Sequence, residues 1–185
     1  MLSIVTPVLN GVNYIEENIK SIYNLSIPFE HIIVDGGSTD GTIEIIMKYH
    51  HIKLIHQSKS KGMYGAINEG FQIASGDYFS YINCDDKILK EGFEKMYLET
   101  KKQDYSIVYS DAILFYSESK KVLFKGRHFP KYFLKNGFMP FVQPSSIFSK
   151  RIYFEFHGFN GEDFKIIGDL DFFQRIANKL ESSFK

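Results

Sequence analysis

The first half of the chain alternates short apolar runs with amphipathic segments. Residues 2–8, 31–35, 52–57 and 77–83 read as strands, and helical patterns lie between them, the last at 62–75. Strands that alternate with single helices predict a mostly parallel sheet covered by helices on both faces. This α/β architecture is the strongest constraint that the sequence places on the fold.

The helical patterns and the second half of the chain are less regular. The first helix should turn one apolar face to the sheet, formed by Val12, Ile15, Ile19, Ile22 and Tyr23. Beyond Asp86 we expect a helix at 89–102, strands at 106–116 and 121–125, an irregular segment near Pro130, Pro140 and Pro144, and a final helix from about Asp169 to Leu180. A length of 185 residues indicates one domain.

Charge and motifs exclude several classes of protein. Lys plus Arg equals Asp plus Glu at 22 each, so no global field indicates nucleic acid binding. The G-x-G-x-x-G and G-x-x-x-x-G-K-[ST] patterns do not occur, so neither a Rossmann dehydrogenase nor a P-loop enzyme is predicted. A single cysteine, Cys84, excludes an intrachain disulfide framework. With no signal-peptide pattern and no apolar run near the ~20 residues of a membrane span, we expect a cytoplasmic protein.

Carboxylates follow two of the predicted strands. Asp35 ends the run at 31–35, and the adjacent Asp85 and Asp86 follow the run at 77–83. Ligands of open parallel sheets bind outside the carboxyl ends of the strands, so we expect these side chains to line one crevice. Two adjacent carboxylates repel each other and are costly to bury, which makes the pair suited to Mg²⁺ or Mn²⁺.

Each acidic position also has a purely structural interpretation. Asp85 or Asp86 could cap a helix that begins near Ile88, and Asp35 could form a turn with the glycines that follow it. Asp169 and Asp171 lie at the start of the last predicted helix, where capping explains a carboxylate equally well. Local sequence alone leaves these alternatives open.

Four segments in order carry a resemblance to a known family. They are "SIVTPVLNGVNYIEENIKSI", "IIVDGGSTDGT", "KGMYGAINEGFQIASGDYFSYINCDD" and "GFNGEDFKIIGDLDFFQRI". The chain resembles the family 2 glycosyltransferases, which have the Rossmann-like A-type nucleotide-sugar-binding fold, over roughly residues 2–178. The resemblance implies that residues 1–185 form a single catalytic domain, either a minimal member or one without a C-terminal extension.

The resemblance also implies an activity. It is an inverting transfer of a sugar from a nucleoside diphosphate donor, expected to be UDP-linked, to a hydroxyl of a saccharide or lipid-linked saccharide in cell-surface polysaccharide synthesis. A divalent cation, Mn²⁺ or Mg²⁺, would be the cofactor. A nucleotide-sugar-binding module without transfer activity and a nucleotidyltransferase are the alternatives. The aromatic and basic segment 129–142 suggests an acceptor at a membrane surface and a peripheral location on its inner face, although core packing also explains its Phe residues.

Roles for individual residues follow from the same resemblance. Asp169 matches the general base, Asp86 the metal ligand, and Asp85 a contact to the ribose or the metal. Asp35 would accept a hydrogen bond from the uracil base. The first loop, which wraps the nucleoside in the family, contributes Thr6, Pro7 and Asn10. Relatives often carry acidic residues at the positions of Ser60 and Gly65 and a His at Gln143, and these departures leave the donor sugar and the acceptor unassigned.

Overall fold

Helices and strands alternate through the first part of the computed structural model, which describes residues 1–58, 62–102, 107–117 and 120–179. The first seven elements are β1 (Leu2–Val8), α1 (Ile15–Tyr23), β2 (Phe29–Asp35), α2 (Thr42–Ile46), β3 (Ile52–His56), α3 (Gly62–Gln72) and β4 (Tyr78–Tyr81). They are followed by α4 (Lys90–Lys102), β5 (Ile107–Tyr109), β6 (Ala112–Ser117), β7 (Lys120–Phe124), α5 (Pro130–Lys135), a 3₁₀ turn (Gln143–Ser145), β8 (Ser146–Ser149), α6 (Lys150–Glu155) and α7 (Gly168–Lys179).

Six of these strands form the main sheet, in the order β3-β2-β1-β4-β8-β5. The first four run parallel, whereas β8 is antiparallel to both of its neighbours. Every residue of β1 is buried, as expected for a strand covered on both faces. The predicted mostly parallel sheet with flanking helices is confirmed.

Apolar spacing explains how α1 packs. Ile15, Ile19 and Ile22 recur every three or four residues and are all buried against the sheet. Tyr23, which we predict on the same face, is 60% exposed. It lies 100° round the helix from Ile22, so it points away from the stripe. The interior position is taken instead by a polar residue, Asn18, which is fully buried.

Aromatic rings fill the core on the α3 side of the sheet. Phe71 of α3 stacks on Phe79 of β4 with ring centroids 4.5 Å apart, and Phe148 and Tyr153 pack edge-on against Phe71. The absence of a side chain at Gly70 lets α3 lie close to β1, since a Cβ there would come within 2.6 Å of Val5 Cγ1. Helix α3 therefore packs closely on the sheet. It also contacts the loop before α7, where the Tyr64 hydroxyl donates to the Ile166 carbonyl.

The second half of the chain differs most from the prediction. The single strand expected at 106–116 is two strands in different sheets: β5 joins the main sheet, and β6 pairs with β7 in a separate hairpin. The chain changes direction at Ser110, whose backbone exchanges hydrogen bonds with Ser145. The segment expected to be irregular contains α5, and the chain continues into β8 and α6, which were not predicted. Ser60 and Leu180 lie outside the described residues.

No helix within the described ranges combines the length and the apolar character that a membrane span requires.

Candidate active site

The loops after the parallel strands meet at one edge of the sheet because the strand ends are in register. Val8 pairs with Asp35, and Asp35 pairs with His56 on the other side. Val5 pairs with Tyr81, which brings the segment after β4 to the same edge. The loops after these strands therefore lie at one edge of the sheet, and the crevice between them stays a prediction.

Hydrogen bonds between backbone N–H groups and side-chain oxygens join the first two loops around Asn10. The Asn10 N–H donates to Ser38 Oγ at 2.9 Å, and Asn10 Oδ1 accepts from the N–H of Thr39 at 2.9 Å. Asn10 takes a left-handed conformation with φ of 54°, which Asn tolerates better than most residues. Its side chain is exposed, and its contact with a nucleotide stays a prediction.

Asp35 lies beneath the turn that follows β2. Its side chain is 1% exposed, and its carboxylate accepts hydrogen bonds from the N–H groups of Gly37 and Ser38. Burial opposes ionisation, but these hydrogen bonds outweigh it, so the pKa of Asp35 lies below its usual value. His56 Nδ1 lies 3.4 Å from the same carboxylate. These contacts are those of the turn-forming alternative, and the contact to a nucleotide base stays a prediction.

Thr6 and Pro7 are buried in β1. The Thr6 hydroxyl lies 3.0 Å from His31 Nε2 and donates to Asn18 Oδ1 at 3.4 Å. Burial lowers the pKa of His31 to about 3, so this imidazole stays neutral. The Thr6 side chain thus belongs to a buried hydrogen-bond network with His31 and Asn18. The roles of Thr6 and Pro7 toward a nucleotide stay predictions.

This buried hydrogen-bond network extends through Asn18 to the turn that carries Asp85 and Asp86. The Asn18 amide donates one hydrogen bond to the carbonyl of Asn83 and one to the carbonyl of Asp86, both at 2.9 Å. The N–H of Asp86 donates to the Asn83 carbonyl, and Asn83 Nδ2 donates to Asp86 Oδ2 at 3.3 Å. Asn18 therefore holds the turn that presents Asp85 and Asp86.

The acidic pair does not act as a helix cap in the described contacts. Helix α4 begins at Lys90, and the N–H of Ile88 donates to Ser21 Oγ at 3.1 Å instead of to a carboxylate. Within the described residues, no cation forms an ion pair with Asp85 or Asp86, and Lys87 pairs with Glu17. The capping alternative for this pair thus has no hydrogen bond to support it.

The electrostatics of the pair favour a divalent cation. Burial, followed by the charge of Asp85, raises the pKa of Asp86 to about 6. Burial raises the pKa of Cys84 to about 11, so this neighbouring thiol stays protonated and is a poor metal ligand. The described residues contain no group of three or more His, Cys, Asp or Glu side chains around one point. Carboxylates of this kind suit Mg²⁺ or Mn²⁺, which take further ligands from substrate phosphates and water.

Asp169 lies in the first turn of α7. Its Oδ1 accepts hydrogen bonds from the Tyr64 hydroxyl at 3.0 Å and from the N–H of Leu170 at 2.9 Å. Burial raises the pKa of Asp169, and these two hydrogen bonds oppose the rise. Asp171 instead pairs with Arg175 at 2.9 Å. The two acidic residues of α7 are therefore in different environments.

Tyr81 at the end of β4 connects the two acidic positions. Burial raises its pKa well above 10, and the negative charges of Asp169 and Asp86 add to this effect. The charges of Asp86 and Asp169 therefore both act on one buried phenol. Asp35 belongs to the neighbouring turn, which Asn10 joins to the first loop.

Sequence patterns did not reveal two residues of this region. Asn18 occupies a position within the apolar stripe of α1, and a polar residue there was a signal that it serves the interior. Tyr64 lies in the motif "KGMYGAIN", and nothing in its spacing indicates contact with a residue 105 positions away.

The sequence profile of "Glycosyl transferase family 2" matches residues 3–166. The chain belongs to this family. TuaG of Bacillus subtilis (strain 168), which carries the name of a teichuronic acid biosynthesis glycosyltransferase, is 35% identical over 100 residues, covering 51% of this chain and 40% of that protein. The chain thus spans well under two thirds of this relative.

Two solved structures share the fold. TarS of S. aureus (residues 1–349), crystallised with UDP, superposes with a TM-score of 0.75 at 21% identity, over 95% of this chain and 54% of that one. The mannosyltransferase PcManGT of Pyrobaculum calidifontis, in complex with GDP-Man and Mn²⁺, gives a TM-score of 0.67 at 18% identity, over 87% and 48% of the two chains. The predicted A-type family 2 fold is confirmed.

The raised pKa of Asp86 gives a prediction for the metal-free protein. Between pH 4 and 6 the folded state holds a proton that the unfolded state releases, so stability falls as the pH rises through this window. The substitution Asp86→Asn removes this pH-dependent loss of stability and keeps the hydrogen bond that Asn83 donates. In EDTA at pH 7.5 it should raise the free energy of unfolding by about 1–2 kcal/mol, and at pH 4 it should change little. Urea denaturation at both pH values measures the difference.

Asp77→Asn is the matched control, because Asp77 precedes the same strand and pairs with the N-terminal amine at 2.9 Å. It should not gain stability at pH 7.5. If Asp86→Asn lowers the free energy of unfolding at pH 7.5 in EDTA, the ionised Asp86 carboxylate does not destabilise the metal-free protein.

Proposed function

We propose that this domain catalyses an inverting transfer of a hexosyl or N-acetylhexosaminyl group from a UDP-linked donor to a hydroxyl of a saccharide or lipid-linked acceptor. The observation that carries the proposal is that Asp86 and Asp169 both act electrostatically on the buried Tyr81, at the end of β4, in a family 2 fold. The name of TuaG supports a role in cell-surface polysaccharide synthesis.

The nucleotide would bind across the first two loops. Asn10 and Asp85 are exposed at this edge, and Thr6 and Pro7 form the end of β1 beneath it. The UDP complex of TarS supports a uridine nucleotide. Asp35 would accept the N3 hydrogen of uracil through an oxygen lone pair that its turn leaves free, since a carboxylate has about four acceptor sites.

Asp86 would hold a divalent cation, with Asp85 beside it. A bound Mn²⁺ or Mg²⁺ supplies Lewis-acid stabilisation of the charge on the departing diphosphate. The Mn²⁺ complex of PcManGT supports this assignment. Asn18 and Asn83 would keep the acidic turn in place through the hydrogen bonds that they make to it.

Asp169 would act as the base. Its carboxylate takes the proton of the acceptor hydroxyl while the hydroxyl oxygen bonds to the anomeric carbon. The bond from that carbon to the diphosphate breaks on the opposite face, and the electron pair leaves with UDP. A single displacement of this kind inverts the anomeric centre without a covalent enzyme intermediate.

The alternatives have less support. A binding module without transfer activity does not need a buried carboxylate with a raised pKa at the start of α7. A nucleotidyltransferase would need basic residues after the first strand to hold a triphosphate, and residues 6–14 contain none.

Metal-dependent nucleotide binding is the first test. Calorimetry with UDP in Mn²⁺ should give binding to the wild-type protein, and EDTA or Asp86→Asn should each reduce affinity by at least about tenfold, which corresponds to 1.4 kcal/mol. Because the same variant is expected to be more stable without metal, lost affinity could not be ascribed to unfolding.

Asp77→Asn serves as the control here too and should bind UDP like the wild type. CDP should bind more weakly than UDP if Asp35 contacts the base, because N3 of cytosine has no hydrogen to donate. Unchanged UDP affinity in Asp86→Asn would rule out its role as the metal ligand, and equal affinity for UDP and CDP would argue against the role of Asp35.

The second test compares the two acidic residues of α7. Asp169→Asn keeps the shape of the side chain but cannot accept a proton, so turnover should fall by about 10²–10⁴ while UDP affinity stays near that of the wild type. Asp171→Asn loses the pairing with Arg175 and should lower turnover much less. A UDP-release assay with a productive donor and acceptor measures both. Wild-type turnover in Asp169→Asn would eliminate it as the base.

A membrane-associated acceptor is the third part of the proposal. In the segment 129–142, Leu134 and Phe141 are buried, whereas Phe129, Tyr132 and Phe138 are exposed beside the exposed Lys135. Core packing thus accounts for part of the segment, and the exposed part has the aromatic and basic character of a peripheral membrane contact.

Vesicle co-sedimentation checks this contact. At low salt the wild-type protein should sediment with anionic vesicles more than with neutral ones, and the double variant Tyr132→Ser/Phe138→Ser should sediment less. Tyr23→Ser, which alters an equally exposed aromatic outside the segment, is the control and should behave like the wild type. Equal sedimentation of the wild type with both kinds of vesicle would remove the membrane contact from the proposal.

A further inference from the structure

The hydroxyl of Tyr64 is directed at Asp169 from within the core. Tyr64 lies in α3, and its side chain is 2% exposed, yet its Oη is 3.0 Å from Asp169 Oδ1. We propose that Tyr64 is a positioning residue that orients the Asp169 carboxylate and keeps it ionised. This inference rests on the proposed role of Asp169 as the base.

The hydrogen bonds leave one oxygen of Asp169 available. Tyr64 and the N–H of Leu170 both donate to Oδ1. Among the described residues no hydrogen bond goes to Oδ2. A carboxylate fixed through one oxygen in this way presents the other to the proton of an incoming hydroxyl.

The protein holds Tyr64 tightly against the segment that leads into α7. Its ring packs on Phe159 with centroids 5.5 Å apart. Gly168 allows the close approach, because a Cβ there would come within 2.8 Å of Tyr64 Cε2. One turn further along α3, Asn68 donates to the Phe159 carbonyl at 2.7 Å and accepts from the Phe159 N–H at 3.2 Å. Helix α3 thus fixes both ends of the segment from Phe159 to Asp169.

The Tyr64 hydroxyl has two acceptors within reach but only one proton to give. They are Asp169 Oδ1 at 3.0 Å and the Ile166 carbonyl at 2.9 Å. When Asp169 is ionised, the hydroxyl gains most by donating to the carboxylate, since hydrogen bonds to charged groups are the stronger ones. When Asp169 is protonated, the hydroxyl can turn to Ile166 without losing its hydrogen bond. Tyr64 therefore favours the ionised base without trapping it.

The other ionisable groups around Asp169 are few. From β4, Tyr81 faces it as a neutral phenol whose pKa lies well above 10. Burial raises the pKa of Tyr64 itself to about 12, so it also stays neutral. On α7, Asp171 and Arg175 neutralise each other. Asp86, whose pKa burial raises to about 6, also acts on Tyr81.

The substitution Tyr64→Phe tests the proposal, because it removes one oxygen and keeps the ring. Carbon-13 NMR of the aspartate carboxyl groups in the metal-free protein follows the titration directly, and Asp169→Asn assigns the signal of Asp169. The pKa of Asp169 should rise by about one unit in Tyr64→Phe. In the transfer assay the acidic limb of the pH profile of kcat should move up by the same amount, with UDP affinity unchanged.

Tyr153→Phe is the control. Tyr153 is also buried, and its hydroxyl donates to Asn68 Oδ1 at 2.6 Å, so this variant loses a comparable hydrogen bond that does not reach Asp169. The pKa of Asp169 in this variant should equal that in the wild type, even if the melting temperature falls. Equal titrations of Asp169 in Tyr64→Phe and the wild type would overturn the proposal.

The failure of the base assignment gives a different result. If Asp169→Asn turns over like the wild type while Tyr64→Phe still shifts the titration of Asp169, the hydrogen bond stands but serves no base. If Asp169→Asn loses turnover while Tyr64→Phe changes neither the titration nor the pH profile, Asp169 remains the base and Tyr64 is only a core residue.

Discussion

The two hydrogen bonds from the Asn18 amide hold the acidic turn on which the proposed chemistry depends. They fix the carbonyls of Asn83 and Asp86 from beneath, so the Asp86 side chain stays half-buried next to Asp85 although their charges repel. Asn18 is itself placed by the isoleucine stripe of α1 and contacted by Thr6 of β1. Packing of the first β-α unit therefore determines where two like charges lie, and it leaves them suited to a cation that the described part of the chain does not supply.

A second set of contacts performs the same task for the proposed base. Helix α3 lies close to β1 because Gly70 has no side chain, and it reaches the other way through Asn68 and Tyr64 to the segment before α7. Contacts of α1 thus fix the position of the Asp86 carboxylate relative to the central strands, and contacts of α3 fix that of the Asp169 carboxylate relative to the same strands. A displacement by an acceptor needs the base and the departing group on opposite faces of the sugar. The proposed reaction therefore requires that both carboxylates are fixed relative to the same part of the protein.

The sequence predicted the parallel half of the fold well because its signals are local. Apolar runs, their lengths and the helices between them determine β1 to β4, and parallel register then brings Asp35, Asp85 and Asp86 to one edge. The second half depends on pairing between distant residues. Residues 106–116 read as one strand, but β5 pairs with β8 and β6 pairs with β7, and the contacts of Ser110 with Ser145 mark the point of division. The contact of Tyr64 with Asp169 could not be predicted for the same reason, whereas the turn formed by Asp35 is local and was one of the two interpretations that the sequence offered.

The proposed chemistry depends on Asp86 binding the cation that accompanies the nucleotide. A crystal structure of the protein with UDP and Mn²⁺, with anomalous data collected at the manganese edge, tests it most directly. One anomalous peak should lie within coordination distance of an Asp86 oxygen and a diphosphate oxygen, with the uracil between the loop of Asn10 and the turn after Asp35. UDP bound in this crevice with no manganese at Asp86, or manganese bound away from the acidic turn, would contradict it.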